Sequence, residues 1–113
     1  MFIVIAWVKP AMSQTKQPFK IGYVGGLTGP FAVYNVPALA GIKYGIEEIN
    51  KEGGLQGRQV ELIVRDGKER PDVSLSEARS LVQKEGVTIL VAGTSTAMVL
   101  AVSAFAKEQK VLF

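Results

Sequence analysis

Apolar residues form short runs along the chain, and longer segments with helical spacing separate these runs. The runs at residues 19–24, 59–66 and 87–91 predict three strands, and residues 110–113 begin a fourth. Glycine follows the first and third runs closely, so we expect each of these strands to end in a tight turn.

Each intervening segment carries an apolar stripe at the spacing of an α-helix. The first helix is expected to begin at residue 36 or 37, with Pro37 in its first turn, and to end at residue 50, before Gly53 and Gly54. Its stripe falls at i, i+3, i+7 and i+10 and consists of Leu39, Ile42, Ile46 and Ile49.

The second helix is expected to follow a cap at Asp72 or Ser74 and to reach Glu85. Three apolar residues on one face predict its buried side: Ala78, Leu81 and Val82.

The resulting order, β-α-β-α-β-α-β, predicts an α/β fold with an open parallel sheet and right-handed crossovers. In a 2-1-3-4 strand order, the first helix covers one face of the sheet and the other two cover the opposite face. The direction of winding reverses between strands 1 and 3, and open α/β sheets bind ligands at such a switch point. The loop at residues 25–35 and the turn at residues 93–96 flank it, so we expect a ligand site between them.

The turn after the third strand carries three consecutive hydroxyl residues, Thr94, Ser95 and Thr96, and the Ala-rich segment at residues 97–107 predicts a helix behind it. The first N–H groups of a helix lack backbone partners and its dipole adds positive charge, so a carboxylate is well received there. The simpler interpretation is that Ser95 or Thr96 only caps the helix. Capping needs one hydroxyl, however, and the turn coincides with the switch point, which favours a ligand site.

Composition removes several classes of function. The chain has neither Cys nor His, which excludes disulfides, thiol and imidazole chemistry and most zinc or copper sites. Its 13 Lys and Arg against 10 Asp and Glu are scattered rather than gathered in a basic stripe, so nucleic acid is not an expected partner. The glycines of residues 22–29 lack both the G-x-G-x-x-G spacing and a following G-K-[S/T], so no nucleotide cofactor is expected.

Asp66 and Glu69 are the only paired carboxylates near the carboxyl end of a strand. Without a His, a Cys or a phosphate motif beside them, a solvated loop explains this pair better than an active site does. We therefore expect no enzyme activity, no cofactor and no metal.

The amino-terminal residues differ from the rest. Residues 2–8 are continuously apolar but fall short of the ~20 residues that span a bilayer. Residues 11–13, Ala-Met-Ser, place small residues at positions −3 and −1 of a signal-peptide cleavage site, although no basic region precedes the run. We expect a signal-peptide remnant at residues 1–13, a linker at residues 14–18 and export of the protein; an additional strand is the alternative.

Residues 21–34, IGYVGGLTGPFAVY, resemble the opening of the periplasmic branched-chain amino acid-binding proteins. These are extracytoplasmic receptors of ABC importers with the type I periplasmic-binding fold. The similarity continues through residues 49–58, INKEGGLQGR, and the turn at residues 93–96, and it covers residues 19–113. It implies the first part of the N-terminal lobe of a two-lobed receptor, which closes on a small amino acid or amide and works with a membrane permease.

The resemblance also implies roles for individual positions. Residues that match Thr94, Ser95 and Thr96 contact the carboxylate and ammonium groups of the ligand, and Thr96 matches the hydroxyl residue that bonds the carboxylate. Tyr34 matches an aromatic residue that lines the pocket, although a Tyr beside a glycine loop also commonly packs against its neighbours. Asn35 stands where the family commonly has glycine.

The second lobe, with its acidic residue for the ligand's ammonium group, is absent from these 113 residues, which predicts a fragment. Micromolar binding requires about 8 kcal/mol. Hydrogen bonds to charge supply roughly 1.5–3 kcal/mol each, before the cost of association. We expect the chain alone to bind its amino acid poorly or not at all. The alternative function is a ligand-sensing regulatory or receptor domain of the same fold, which a DNA-binding or transmembrane region in the complete gene would indicate.

Overall fold

The structure, a computed structural model, describes residues 16–113, so the predicted signal-peptide remnant at residues 1–13 lies outside the described residues. Strands and helices alternate in this part of the chain, and none of its helices is both long and apolar enough to cross a bilayer. In chain order the elements are β1 (Phe19–Gly25), α1 (Ala32–Lys51), β2 (Val60–Asp66), α2 (Pro71–Gln83), β3 (Ile89–Ala92) and α3 (Thr96–Gln109).

The sheet has three parallel strands in the order β2-β1-β3. β1 is central because Gly25 pairs with Asp66 on one side while Ile21 pairs with Ile89 on the other. The predicted α/β fold with an open parallel sheet is therefore confirmed, and the winding reverses between β1 and β3.

The predicted fourth strand is reduced to a single bridge. Lys110 ends α3 in the left-handed conformation, with φ of 56°. Leu112 then forms a parallel bridge with Ile89. The N–H of Leu90 donates to Leu112 O at 2.8 Å, and the N–H of Leu112 donates to Thr88 O at 3.2 Å. The chain thus reaches the fourth position of the sheet, where it forms an isolated β-bridge rather than a strand.

The main core lies on the face of the sheet that α2 and α3 cover. Gly22 of β1 brings the helices close, because a Cβ at this position would lie 2.9 Å from Leu81 Cδ1 and 3.1 Å from Leu90 Cδ2. The predicted burial of Ala78 and Leu81 is confirmed, and Val82 packs against the cluster. The buried members of this core are Val24, Ala78, Leu81, Val87, Leu90, Val102, Phe105 and Ala106.

α1 contacts the opposite face of the sheet. Tyr23 and Val24 point to opposite faces because side chains alternate along a strand. Val24 joins the main core, whereas the hydroxyl of Tyr23 meets Asn35 of α1. The apolar stripe predicted for this helix is confirmed, since Leu39 is buried and the isoleucines at 42, 46 and 49 are half-buried.

The last turn of α1 is fastened to the start of β2 by one side chain. Asn50 Nδ2 donates to Val60 O at 2.9 Å, and Asn50 Oδ1 accepts from the N–H of Val60 at 2.8 Å. Gly53 and Gly54, both with positive φ, then stop the helix as predicted.

α1 begins four residues or more before the predicted start, and this difference matters for the site. Gly29, with φ of 84°, turns the chain, and Ala32 donates its N–H to Gly29 O, so the helix follows the glycine directly. Pro37 therefore lies inside the helix rather than in its first turn. Tyr34 and Asn35, expected in a loop, are helical.

α2 also begins earlier than predicted, and neither predicted cap is correct. Arg70, with an extended backbone, is the N-cap residue, and Pro71 opens the helix. Asp72 is exposed and pairs with Arg70 at 2.8 Å. Ser74 is buried, and its hydroxyl donates to Gly67 O instead.

Candidate ligand-binding site

Two connections meet at the carboxyl ends of β1 and β3, where the switch point was predicted. The N–H of Gly93 donates to Val24 O at 3.1 Å, so the turn after β3 starts against the end of β1. The loop after β1 leads into α1, and the turn after β3 leads into α3. The structure therefore places the first turns of both helices at one edge of the sheet.

The side chain of Ser95 does not cap α3. Ser95 is the N-cap residue by backbone position, with φ of −84° and ψ of 123°, but its hydroxyl makes no cap hydrogen bond. The first bond of the helix runs from the N–H of Val99 to Ser95 O at 2.9 Å. Thr96 is already the first helical residue and is exposed. Because Ser95 contributes no capping oxygen, the first turn of α3 keeps donor capacity for another acceptor.

Thr94 has an unusual backbone conformation for a β-branched residue. Its φ is 35°, in the left-handed region that such residues rarely adopt. The residue is exposed, yet its hydroxyl is held from the protein side, where Oγ1 accepts a hydrogen bond from Asn35 Nδ2 at 2.9 Å.

Asn35 is the centre of a buried polar cluster at this edge of the sheet. It is 0% exposed, and its Oδ1 accepts from the hydroxyl of Tyr23 at 3.0 Å. Its Nδ2 faces three oxygens: Phe31 O at 3.1 Å, Glu69 Oε1 at 3.2 Å and Thr94 Oγ1 at 2.9 Å. These three partners lie in the connections that follow β1, β2 and β3, so one side chain joins all three.

Glu69 brings a carboxylate into the same cluster. Its side chain lies over the backbone of Gly26, where a Cβ would overlap it, and its Oε2 is buried without a hydrogen-bond partner among residues 16–113. Burial, and secondarily the nearby Glu69 carboxylate, raises the pKa of Tyr23 above its ordinary value. Tyr23 is therefore a neutral hydroxyl that donates to Asn35 across the physiological range.

Asp66, at the end of β2, holds the loop that follows β1. Its Oδ1 accepts from the N–H of Leu27 at 3.0 Å and from the N–H of Lys68 at 2.9 Å, and its Oδ2 accepts from the hydroxyl of Thr28 at 2.7 Å. Desolvation opposes ionisation, but these bonds outweigh it and hold the pKa of Asp66 below its ordinary value. Asp66 and Glu69 thus have separate partners, and no group of three metal-ligating residues forms in the described part of the chain.

Tyr34 occupies the first turn of α1 and is 64% exposed. Its ring lies against Phe31, with centroids 6.5 Å apart and planes inclined at 45°. Its neighbour Asn35 contacts Thr94, so the structure brings these two segments together. A shared pocket of Tyr34 with Thr94, Ser95 and Thr96 stays a prediction.

The sequence analysis placed neither Tyr23 nor Asn35 in a buried cluster. It assigned Glu69 to a solvated loop, which is wrong because Glu69 Oε2 is buried and Oε1 accepts from Asn35. One signal for Asn35 was available, because it lies four residues before Leu39 and therefore extends the apolar stripe of α1 with a polar residue. A polar residue on a buried stripe needs hydrogen-bond partners. Its side-chain partners Tyr23, Glu69 and Thr94 lie 12, 34 and 59 residues away in the sequence, so the pattern alone does not identify them.

A parallel α/β sheet whose switch point carries two helix starts has the arrangement in which open α/β proteins bind ligands. The family model described as periplasmic binding protein matches residues 18–113, and the chain belongs to this family. The resemblance seen in the sequence is thereby confirmed.

Individual relatives agree with this assignment. The chain is 33% identical over 92 residues to the Leu/Ile/Val-binding protein BraC3 of Rhizobium johnstonii, which covers 81% of this chain and 25% of that protein. The structure of the present chain is similar to that of LivJ from Streptococcus pneumoniae, a branched-chain amino acid transporter substrate-binding protein solved with isoleucine. The TM-score is 0.79 and the identity 28%, over 83% of this chain and 27% of that one.

A second solved structure carries a different ligand. It is the solute-binding protein of an ABC transporter from Rhodopseudomonas palustris BisB5, in complex with 3,4-dihydroxybenzoic acid. The TM-score is 0.74 and the identity 27%, over 83% of this chain and 25% of that one. The chain thus spans about a quarter of the length of the curated relatives it matches.

Proposed function

We propose that this chain supplies one side of the ligand site in an extracytoplasmic solute-binding receptor of an ABC importer. The observation that carries the proposal is the start of α3, where three consecutive hydroxyl residues lie at the switch point and Ser95 does not use its hydroxyl as a cap. Donors that the protein leaves unused at a helix N-terminus favour an anionic ligand group.

A carboxylate is the ligand group that this arrangement suits best. The first turn of α3 offers backbone N–H groups, and Thr94 and Thr96 are exposed beside it. Isoleucine and 3,4-dihydroxybenzoic acid, the ligands of two similar structures, both carry a carboxylate. We assign a branched-chain or related small amino acid to this chain because LivJ and BraC3 are named for such ligands.

Family membership supports a proposal for the location and the partner of this protein. A receptor of this family acts outside the cytoplasm and passes its ligand to a membrane permease, which we propose as the partner of the complete protein. We propose no enzymatic role, because Asp66 is bonded to the loop that follows β1 and the family binds solutes.

Titration of the ¹⁵N-labelled chain with isoleucine tests this function by NMR. Of the two outcomes expected for the chain alone, poor binding and no binding, the unused donors at the start of α3 favour poor binding. The backbone amides of residues 94–98 should shift, with a dissociation constant in the millimolar range. That range corresponds to about 4 kcal/mol, which a few hydrogen bonds to charge supply in an open site. Thr96→Val, which keeps the side-chain shape and removes the hydroxyl, should weaken binding about threefold or more.

Thr88→Val is the matched control, because Thr88 is an exposed threonine just before the opposite end of β3. This variant should bind isoleucine like the wild type. The proposal is wrong if no amide at the start of α3 responds to isoleucine, or if Thr96→Val and Thr88→Val bind equally well.

A further inference from the structure

We propose that Asn35 is a positioning residue for the ligand, because it sets the direction of the Thr94 hydroxyl. Asn35 donates to Thr94 Oγ1, so this hydroxyl keeps its single hydrogen for an acceptor outside the protein. This inference rests on the proposed function and deepens it, since it makes the site selective for a carboxylate rather than for a group that donates.

The orientation of the Asn35 amide is fixed by its partners. Phe31 O and the Glu69 carboxylate only accept hydrogen bonds, so the nitrogen of the amide must face them. The hydroxyl of Tyr23 donates to the opposite atom, Oδ1. The two hydrogens of Nδ2 serve three oxygens, and Thr94 Oγ1, the nearest of them at 2.9 Å, accepts one of these hydrogen bonds.

The hydroxyl hydrogen of Thr94 is left without a protein acceptor among residues 16–113. Thr94 is exposed, and its neighbours Ser95 and Thr96 begin α3. A ligand carboxylate at this helix start would meet backbone donors and, beside them, a hydroxyl that has already been turned to donate. A ligand amide has one acceptor oxygen where a carboxylate has two, so when that oxygen meets the backbone donors, its nitrogen places an N–H donor against the donating hydroxyl of Thr94.

The backbone conformation of the turn is a second way in which Asn35 positions Thr94. Thr94 has φ of 35°, a conformation that a threonine keeps only where its surroundings impose it. The Asn35 amide also fills the space beside Gly93, so that any side chain there would overlap it. Asn35 thus contacts two of the three residues between β3 and α3, Gly93 and Thr94.

Burial makes this control effective. Asn35 is 0% exposed, so water does not compete for its amide, and it acts on a ligand only through Thr94. It is therefore distinct from Tyr34, its exposed neighbour, which the family resemblance places in the pocket.

The test compares the affinities of the labelled chain for isoleucine and for isoleucinamide, in which an amide replaces the carboxylate. Asn35→Asp keeps the shape but turns the donor into an acceptor, so the Thr94 hydroxyl would donate inward. This change is made together with Glu69→Gln, so that two carboxylates do not face each other, and Glu69→Gln alone is the reference. We expect Asn35→Asp to weaken isoleucine binding about threefold to tenfold and isoleucinamide binding less.

Thr94→Val tests the same hydrogen bond by removing its acceptor, the Thr94 hydroxyl. It should weaken isoleucine binding to a similar extent. Once Thr94→Val is present, Asn35→Asp should cause no further loss, because both changes remove the same donor, the outward hydrogen of the Thr94 hydroxyl. Thr94→Val should also shift the side-chain amide resonances of Asn35, which reports the contact without any ligand.

Asn50→Asp is the matched control, since Asn50 lies on the same helix and holds Val60 through its own amide, far from the site. It should leave the preference for isoleucine over isoleucinamide unchanged. The inference is overturned if Asn35→Asp preserves that preference, or if its effect on affinity adds in full to that of Thr94→Val. It is also overturned if the side-chain amide resonances of Asn35 do not shift in the Thr94→Val variant. If the wild-type chain responds to neither probe, the proposed function fails and this inference fails with it.

Discussion

Gly93 shows how closely the turn before α3 is packed. A Cβ at this position would overlap Asn35 Oδ1 and lie 3.1 Å from the hydroxyl of Tyr23. Both of these side chains are buried and bonded to each other. Glycine is therefore required here by the space that Asn35 occupies rather than by a positive φ.

We predict that Gly93→Ala lowers the free energy of unfolding by about 1–3 kcal/mol, the usual cost of overpacking a buried site. The loss should nearly vanish when Asn35→Ala is also present, because the overlapping atom is then gone. Urea unfolding of the two single variants and the double variant, followed by circular dichroism, measures this coupling.

Gly41→Ala serves as the control for this series. Gly41 lies inside α1, and a Cβ at this position would have no other part of the described chain within 4 Å, so alanine should stabilise the helix by up to ~1 kcal/mol. A Gly93→Ala variant as stable as the wild type would contradict the packing described for Asn35.

At the residue scale, the sequence pattern located the start of α3 but not the atoms that support it. Thr94, Ser95 and Thr96 are adjacent in the chain, so a glycine, three hydroxyls and a helical segment were enough to indicate them. Tyr23 and Asn35 meet only because α1 crosses the sheet, and a contact of that kind depends on the fold.

At the element scale, the loops after β1 and β2 act as one unit through Asp66. Its carboxylate accepts from Leu27 and Thr28 in the first loop and from Lys68 in the second. These bonds favour the ionised form, so the folded chain holds the pKa of Asp66 below its ordinary value.

We therefore predict a loss of stability in acid that traces to Asp66. A group whose folded pKa is lowered stabilises the protein above its unfolded pKa, and this contribution disappears as the pH falls through the folded pKa. Asp66→Asn should cost about 1 kcal/mol at pH 7, because the amide nitrogen does not accept from Thr28. It should also flatten the decline in stability below about pH 4.

Urea unfolding from pH 7 down to pH 3 measures this dependence. Glu47→Gln is the control, because Glu47 is exposed on α1 and forms no ion pair or side-chain hydrogen bond among residues 16–113. If Asp66→Asn and Glu47→Gln give pH profiles parallel to that of the wild type, Asp66 does not fasten the two loops.

The strands and helix stripes were predictable because burial repeats along each element with a fixed period. The start of α1 was not, because Pro37 is typical of a first turn and the true start depends on the turn at Gly29. The start of α2 was missed for a similar reason: Asp72 and Ser74 are good caps by type, but the extended backbone falls at Arg70.

At the scale of the whole molecule, the two faces of the sheet contribute unequally. α2 and α3 pack against each other and the sheet around the main core, whereas α1 buries little more than Leu39 and Asn35 on its face. The start of α3, which carries the candidate site, is therefore held by the main core, and Asn35 links it to α1 across the edge of the sheet.

Leu81 is the residue that best tests whether the main core holds the start of α3 in place. It is 0% exposed in α2, and its side chain lies so close to Gly22 that a Cβ there would be 2.9 Å away. Leu81→Ala should lower the free energy of unfolding by about 2–5 kcal/mol, because the lost contacts leave a cavity between the helices and β1. Domains of ordinary size have a total free energy of unfolding of only about 5–15 kcal/mol, so the urea midpoint should fall sharply.

Leu100→Ala in α3 is the control, since Leu100 is 64% exposed and its truncation should change stability by no more than about 0.5 kcal/mol. Equal midpoints for the two variants would mean that α2 does not hold the sheet in the way described, and the placement of α3 at the switch point would lose its support.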